Sequence, residues 1–258
     1  MQTQRQKLLG MFLLLASVTL AGSGSRHYVL SAAPFAWDEE LTDGSRFVRE
    51  RGLRVAAAVS LPVHARGNLE LRYEGEAYGT LVRHEGWDPV GFTIPDHYED
   101  TVSGQIGMSH ALVSCYTLSR SDVTVKATAA LSLDTWYRTL NYFEIWIVPT
   151  VRYGLTFGAH DDRWSVFLGA TSVFAARQVT QTTKAPWNAT DNTTIALPGE
   201  TSPALAWEYQ WKPRIRLRAG YAEYRFQHSK VVVLDSGVGI TQPTSTSRLL
   251  SVGIVRDF

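Results

Sequence analysis

Any chemistry in this sequence has to come from a small set of side chains. The chain of 258 residues has seven histidines and one cysteine. His160-Asp161-Asp162 sets an imidazole beside two carboxylates, the residue types of acid–base chemistry. Asp96-His97, followed by Glu99 and Asp100, offers oxygen and nitrogen ligands to a cation. Ser109-His110 and His228-Ser229 each place a hydroxyl next to a base. Cys115 stands alone, so it forms neither an intramolecular disulfide nor a multi-cysteine zinc site. Each grouping has a plainer reading. Asp is a common turn residue, and acid-rich segments are commonly solvated loops. Neighbours along a strand point to opposite faces, so neither Ser–His pair closes if the segment is β. No catalytic residue, metal ligand or cofactor is assigned on these grounds.

The elements that must position these residues read as strands. Leu69, Leu71, Tyr73, Gly75 and Ala77 alternate with Glu70, Arg72, Glu74 and Glu76. The same period of two recurs at 53–61, 123–134, 143–153, 205–211 and 214–219, and it marks a sheet with two unlike faces. Around 220–223 the alternation loses phase, which predicts a bulge. The candidate strands are 27–37, 46–61, 68–84, 99–117, 122–138, 141–157, 163–178, 201–211, 214–230 and 247–258. Most are far longer than an ordinary globular strand and match the ~9–11 residues a tilted membrane strand needs. The predicted fold is all-β: a closed, antiparallel, up-and-down transmembrane barrel of about ten strands. The alternative is eight strands with an N-terminal extension. A soluble, lipocalin-like barrel would enclose an apolar face, whereas here the enclosed face is the charged one.

Composition agrees. The net charge of +1 lacks the basic excess of a nucleic-acid binder. Charged residues make up 19% and aromatics 11%, as expected of a surface that partly faces lipid. Residues 1–24 read as a signal peptide, with Arg5 and Lys7, an apolar run over 8–20 and small residues at 21–25. Residues 25–258 are then the barrel domain. With the strands run upward from the periplasm, the short turns fall at 64–67, 119–121, 158–162 and 212–213. The outer loops fall at 38–45, 85–98, near 139, 179–200 and 231–246, three of them long (85–98, 179–200 and 231–246) and the 179–200 loop predicted to be mobile.

The alternation also sends charge inward. Glu70, Arg72, Glu74, Glu76, Lys126, Glu144, Arg152, Glu208, Arg214, Arg216 and Arg218 form the expected lumen network, together with Arg54 and Asp134. The row Arg214, Arg216, Arg218 is expected to pair with the row Glu70, Glu74, Glu76 or its neighbours. A barrel of eight to ten strands is narrow enough for its own side chains to fill.

The C-terminal segment 251–258, SVGIVRDF, resembles the terminal signal of bacterial outer-membrane barrels. Phe258 is the terminal aromatic, Val252 and Ile254 the alternating apolar residues, and Gly253 the frequent glycine. Arg256 departs from that pattern. The segment 35–52 is similar to the first hairpin of uncharacterised proteobacterial outer-membrane barrels, with Asp43-Gly44 at its turn. The resemblance implies the outer membrane of a Gram-negative cell, delivery by the barrel assembly machinery, and outer-membrane lipid and lipopolysaccharide as surroundings. It implies no activity. The expected role is structural or loop-mediated binding around a side-chain-plugged lumen. The alternatives are a small polar pore, or an outer-membrane enzyme of omptin or acyl-chain-hydrolase type. Against the omptin alternative, the topology puts His160-Asp161-Asp162 at the periplasmic end. Any extracellular ligand stays unspecified.

Overall fold

The computed structural model describes residues 26–87, 97–102, 104–139, 143–159, 161, 163–183 and 189–257. Its strands are β1 (His27–Glu40), β2 (Arg46–Arg66), β3 (Leu69–Trp87), β4 (His97–Val102), β5 (Gln105–Arg120), β6 (Val123–Thr139), β7 (Phe143–Ala159), β8 (Trp164–Val173), β9 (Ala176–Thr180), β10 (Thr193–Leu197), β11 (Thr201–Lys212), β12 (Ile215–Phe226), β13 (Val232–Val233), β14 (Gly239–Ile240) and β15 (Thr244–Asp257). Ten of them close a ring in the order β1, β2, β3, β5, β6, β7, β8, β11, β12, β15, and β15 returns to β1. All of these pairings are antiparallel. β4 prolongs the line of β5 along β3, and β9 that of β8 along β7. The eight-stranded alternative is overturned, because β1 pairs with β2 on one side and β15 on the other along its whole length.

The faces follow the alternation. Leu30, Leu53, Val55, Leu131, Trp207 and Ile254 are exposed on the outside. Arg54, Glu76, Arg152 and Arg218 line the inside. His110 lies outside, in the apolar band, and shares a 2.7 Å hydrogen bond with the Tyr73 hydroxyl from the neighbouring strand. That contact accounts for a polar ring at a lipid-facing position without any shift of register.

Two-residue turns at 67–68, 121–122 and 213–214 share one end of the barrel with both strand termini, His27 and Asp257. By the asymmetry of such barrels this is the periplasmic end. At the other end β1 runs on to Glu40, so the first outer loop shrinks to 41–45. There Gly44 takes a φ of 78°. The amide and hydroxyl of Ser45 donate to the Asp43 carboxylate at 2.8 and 2.5 Å, and the hydroxyl bond foremost holds that carboxyl below its ordinary value. The stretch 179–200 is more than a loop, because β9 and β10 pair within it as a hairpin. The bulge expected near 220–223 is absent: β12 keeps register with β11 and β15 through Ala222. Phase is kept and polarity changes, since the outward residues Glu223 and Arg225 are charged.

β7 and β8 approach closely where Gly154 faces Gly169. A Cβ on Gly169 would lie 2.2 Å from the Tyr153 carbonyl oxygen, and one on Gly154 2.2 Å from that of Leu168. Backbone cannot move aside as a flexible side chain can. Gly169→Val is expected to destabilise the folded barrel by at least the ~1–3 kcal/mol of an overpacked core site, and Ala170→Val on the outer face by far less. Urea midpoints of the two refolded variants check this. Tyr73→Phe should destabilise more than the double change Tyr73→Phe/His110→Leu, because only the single variant leaves a ring nitrogen unpaired in lipid. Equal midpoints would contradict it.

Candidate functional site

The lumen is the site that the strands build, and it has two storeys. The upper one is a plug. Arg138 on β6 donates from Nη1 to Glu39 Oε1 at 2.6 Å and to Glu144 Oε2 at 3.5 Å. Its Nε and Nη2 donate to Glu50 Oε1 at 3.1 and 3.0 Å. His84 Nδ1 lies 3.2 Å from that same oxygen. Thus β1, β2, β3, β6 and β7 each send one side chain into a single ion cage across the bore. All five side chains are buried.

Beneath the cage lies an aromatic floor. Trp37 meets Trp146 edge to face at 5.0 Å, Trp136 stacks on Trp146 at 5.6 Å, and Phe226 closes on Trp146 at 5.4 Å. Cage and floor are joined: Trp37 Nε1 donates to Glu39 at 2.8 Å, and Trp146 Nε1 to Glu144 at 3.2 Å. Such aromatic pairs add ~0.5–1.5 kcal/mol each beyond their buried area.

The lower storey is a polar cavity of about 290 Å³. Arg54 bonds Glu76 and lies over the Tyr78 ring at 3.8 Å. The Tyr224 hydroxyl donates to Asp134 at 3.2 Å. Arg152 reaches Glu74 at 3.6 Å. Arg216 bridges Glu208 at 3.1 Å and Asp257 at 2.8 Å, and Arg218 stands 3.7 Å from Glu208. His27 completes the inner mouth, 2.6 Å from Asp257. Guanidinium–carboxylate pairs at this spacing neutralise each other in a narrow bore.

Most of the expected lumen residues sit in this scheme, with different partners. Glu70 pairs with Arg72 at 3.7 Å, and Arg72 donates to Ser60 at 2.8 Å. Lys126 takes an inward position on β6, and Glu144 belongs to the plug. The direct ion pairs of the Arg row run to Glu208 and Asp257 on adjoining strands and not to Glu70, Glu74 or Glu76, while the charge of Arg218 also acts on Glu74 and Glu76 within the bore. Arg214 is a correction. It lies exposed in the turn before β12 with a φ of 65°, outside the lumen, because β12 begins only at Ile215. Glu39, Glu50, His84 and Arg138 are lumen residues that the clearest alternating stretches of the sequence do not include. Glu39 and Glu50 lie beyond the stretches 27–37 and 53–61. The signal was present in β1 as Phe35, Trp37 and Glu39 at every second position.

At the terminal strand Val252 and Ile254 face outward and Gly253 faces in; Phe258 lies outside the described residues. So do Asp96, His160 and Asp162, together with the side chains of His97, Glu99 and Asp100. Asp161 pairs with Arg163 at 2.8 Å in a periplasmic turn. Ser109 and His110 take opposite faces, and His228 Nδ1 lies 2.8 Å from the Ser229 carbonyl oxygen. Among the described residues no Ser–His pair is formed, and no three of His, Cys, Asp and Glu gather to hold a metal ion.

Long strands closed on themselves, an apolar outer band and a lumen of paired charges define an integral outer-membrane β-barrel protein. No protein-family model matches the chain, and no curated protein does. Among solved structures the chain is similar to the outer membrane protease OmpT of Escherichia coli, with 10% identity and a TM-score of 0.47 over 93% of this chain and 99% of that one. It is also similar to an outer membrane channel of Pseudomonas putida F1, with 10% identity and a TM-score of 0.46 over 94% and 98%. Neisserial surface protein A gives 13% identity and a TM-score of 0.36 over 92% and 100%. Overlap at this level carries nothing about activity.

The placement of the Arg row has a direct test. Arg216→Glu sets a third carboxylate against Glu208 and Asp257, and should cost at least the ~1.5–3 kcal/mol of one hydrogen bond to a charged group. Arg214→Glu, in the turn, should stay within ~0.5 kcal/mol of wild type. Comparable urea midpoints for the two would place both arginines in one environment and contradict the assignment.

Proposed function

We propose that this protein is a closed, non-conducting outer-membrane barrel whose ordered outer hairpins bind a partner outside the cell. The plug carries this reading. Ion cage and aromatic floor together draw residues from β1, β2, β3, β6, β7 and β12, so the bore is crossed from many sides of the ring. Open aqueous channels belong to barrels of about 16 strands, wider than ten strands can form. The outer hairpins support the binding half. Thr190 donates its amide to Asp235 at 2.9 Å, and Ala189 packs on Leu234, which ties the segment after β9 to the β13–β14 hairpin. That hairpin displays Val231 and Val233 to solvent, and exposed apolar side chains on an ordered loop suit protein contact. Delivery through the terminal segment with Val252, Gly253, Ile254 and Phe258 belongs to the same proposal.

Planar-bilayer recording tests the plug. Wild-type protein is expected to be silent. Trp37→Ala/Arg138→Ala, which removes one floor residue and the centre of the cage, is expected to give steady conductance through the polar cavity. Steady conductance of the wild type would overturn the proposal in favour of the small polar pore.

A further inference from the structure

On the outside of the barrel, strand register lines up two rungs of charge. One rung runs Glu223, Arg248, Ala36, Arg51, Arg83 across β12, β15, β1, β2 and β3. The next rung toward the outer end runs Arg225, Thr246, Asp38, Arg49, Glu85. One rung the other way come Leu250, Pro34, Leu53 and Leu81. The apolar band therefore stops and an arginine-rich patch begins within a single step of the alternation. Five arginines face three carboxylates here, an excess of two positive charges.

The patch is layered. Asp38 and Glu223 lie beneath, with side chains 14% and 2% exposed, while Arg51 and Arg248 lie on top at 42% and 48%. Asp38 accepts from Arg51 at 2.7 Å and from Arg248 at 3.3 Å. Glu223 accepts from Arg225 at 3.0 Å and from Arg248 at 3.3 Å. These two acids, Glu223 buried and Asp38 largely covered, hold the guanidiniums in an array. A guanidinium has five N–H donors, so each keeps donors beyond those spent on its carboxylate. The array is one-sided. At the upper ends of β6, β7 and β9 the outward residues are Tyr137, Ile145, Ile147 and Val179, with Arg177 the only charge among these strand positions.

We infer that this face is a docking site for the phosphates of a lipopolysaccharide-type glycolipid in the outer leaflet. Position and chemistry select that class. A ligand here has acyl chains against Leu53, Leu81 and Leu250 and anionic groups one rung above. Phosphate, like carboxylate, presents oxygens that match the guanidinium fork in pairs, and it carries the higher negative charge. The patch lies at the long-loop end, which faces the outer leaflet. Arg248 and Arg51 are two strand spacings apart, roughly 10 Å, so adjacent phosphates can be held at once.

The test uses the full folded chain in detergent, titrated with purified lipopolysaccharide, the same lipopolysaccharide after dephosphorylation, and inorganic phosphate. Binding is read by native mass spectrometry and by calorimetry. Dephosphorylation should weaken binding at least tenfold, and millimolar inorganic phosphate should fail to displace the glycolipid. Arg51→Gln/Arg248→Gln should lose at least tenfold in affinity, with heat-modifiable gel migration reporting its fold, while Arg163→Gln in the periplasmic turn should bind as wild type does. If the double variant does not fold, the comparison of phosphorylated with dephosphorylated glycolipid on wild type decides alone. Equal binding of the two glycolipids, or unchanged binding by the folded double variant, overturns the inference. Displacement by inorganic phosphate overturns it in favour of a site for soluble anions.

Discussion

Everything in this molecule depends on the seam between β1 and β15. In hydrocarbon no water is available to an unpaired amide or carbonyl, and each one left open costs several kcal/mol. A sheet of long strands is therefore viable in a membrane only if its first and last strands find each other. They do so from His27 opposite Asp257 up to Glu40 opposite Thr244. The seam also carries its own side-chain lock, since His27, Asp257 and Arg216 meet at the inner mouth.

Closure then sets the electrostatics. Side chains that alternate away from lipid are confined to a narrow bore and must be compensated there. An arginine facing mid-bilayer lipid would cost ~2–4 kcal/mol, which drives Arg54, Arg152, Arg216 and Arg218 inward. Once inside, they pair locally, with the nearest carboxylate on the same or an adjoining strand in most cases. Arg152 with Glu74 is an exception that reaches across the bore.

Toward the outer end the outward face of the strands turns from apolar to charged, while the bore holds aromatic rings beside the ion cage of Glu39, Glu50, His84, Arg138 and Glu144. In the membrane band, apolar residues face out and charges face in. In the last third of β1, Phe35 and Trp37 face in and Asp38 faces out; on β12, Phe226 faces in while Glu223 and Arg225 face out. The same change makes both the aromatic floor of the plug and the arginine patch on the outer surface. It follows from leaving the hydrocarbon: once the outside is no longer oil, charge can sit there and the bore can be sealed with rings. The apparent loss of phase near 220–223 is this change of environment, carried by a strand that never breaks register.

The sequence by itself determined the β class, the long strands with two unlike faces and the inward direction of Glu74, Glu76, Arg216 and Arg218. These depend on alternation, a local property that a strand writes into every second residue. The Asp43-Gly44 turn was legible for the same reason, because a tight turn needs particular residues at adjacent positions. The choice of ten strands over eight waited for the pairing of β1 with both β2 and β15. Only the tertiary structure decided who pairs with whom. Arg138 meets Glu39 and Glu50 across separations of 99 and 88 residues, and which residues share a level depends on strand stagger, to which alternation is blind. Arg214 shows the limit in miniature: it continues the Arg216, Arg218 alternation, yet a turn one residue earlier takes it out of the lumen altogether. The rungs of arginine on the outer wall were hidden likewise, because Arg51, Arg83 and Arg248 come from three strands and become one patch only when the registers bring them level.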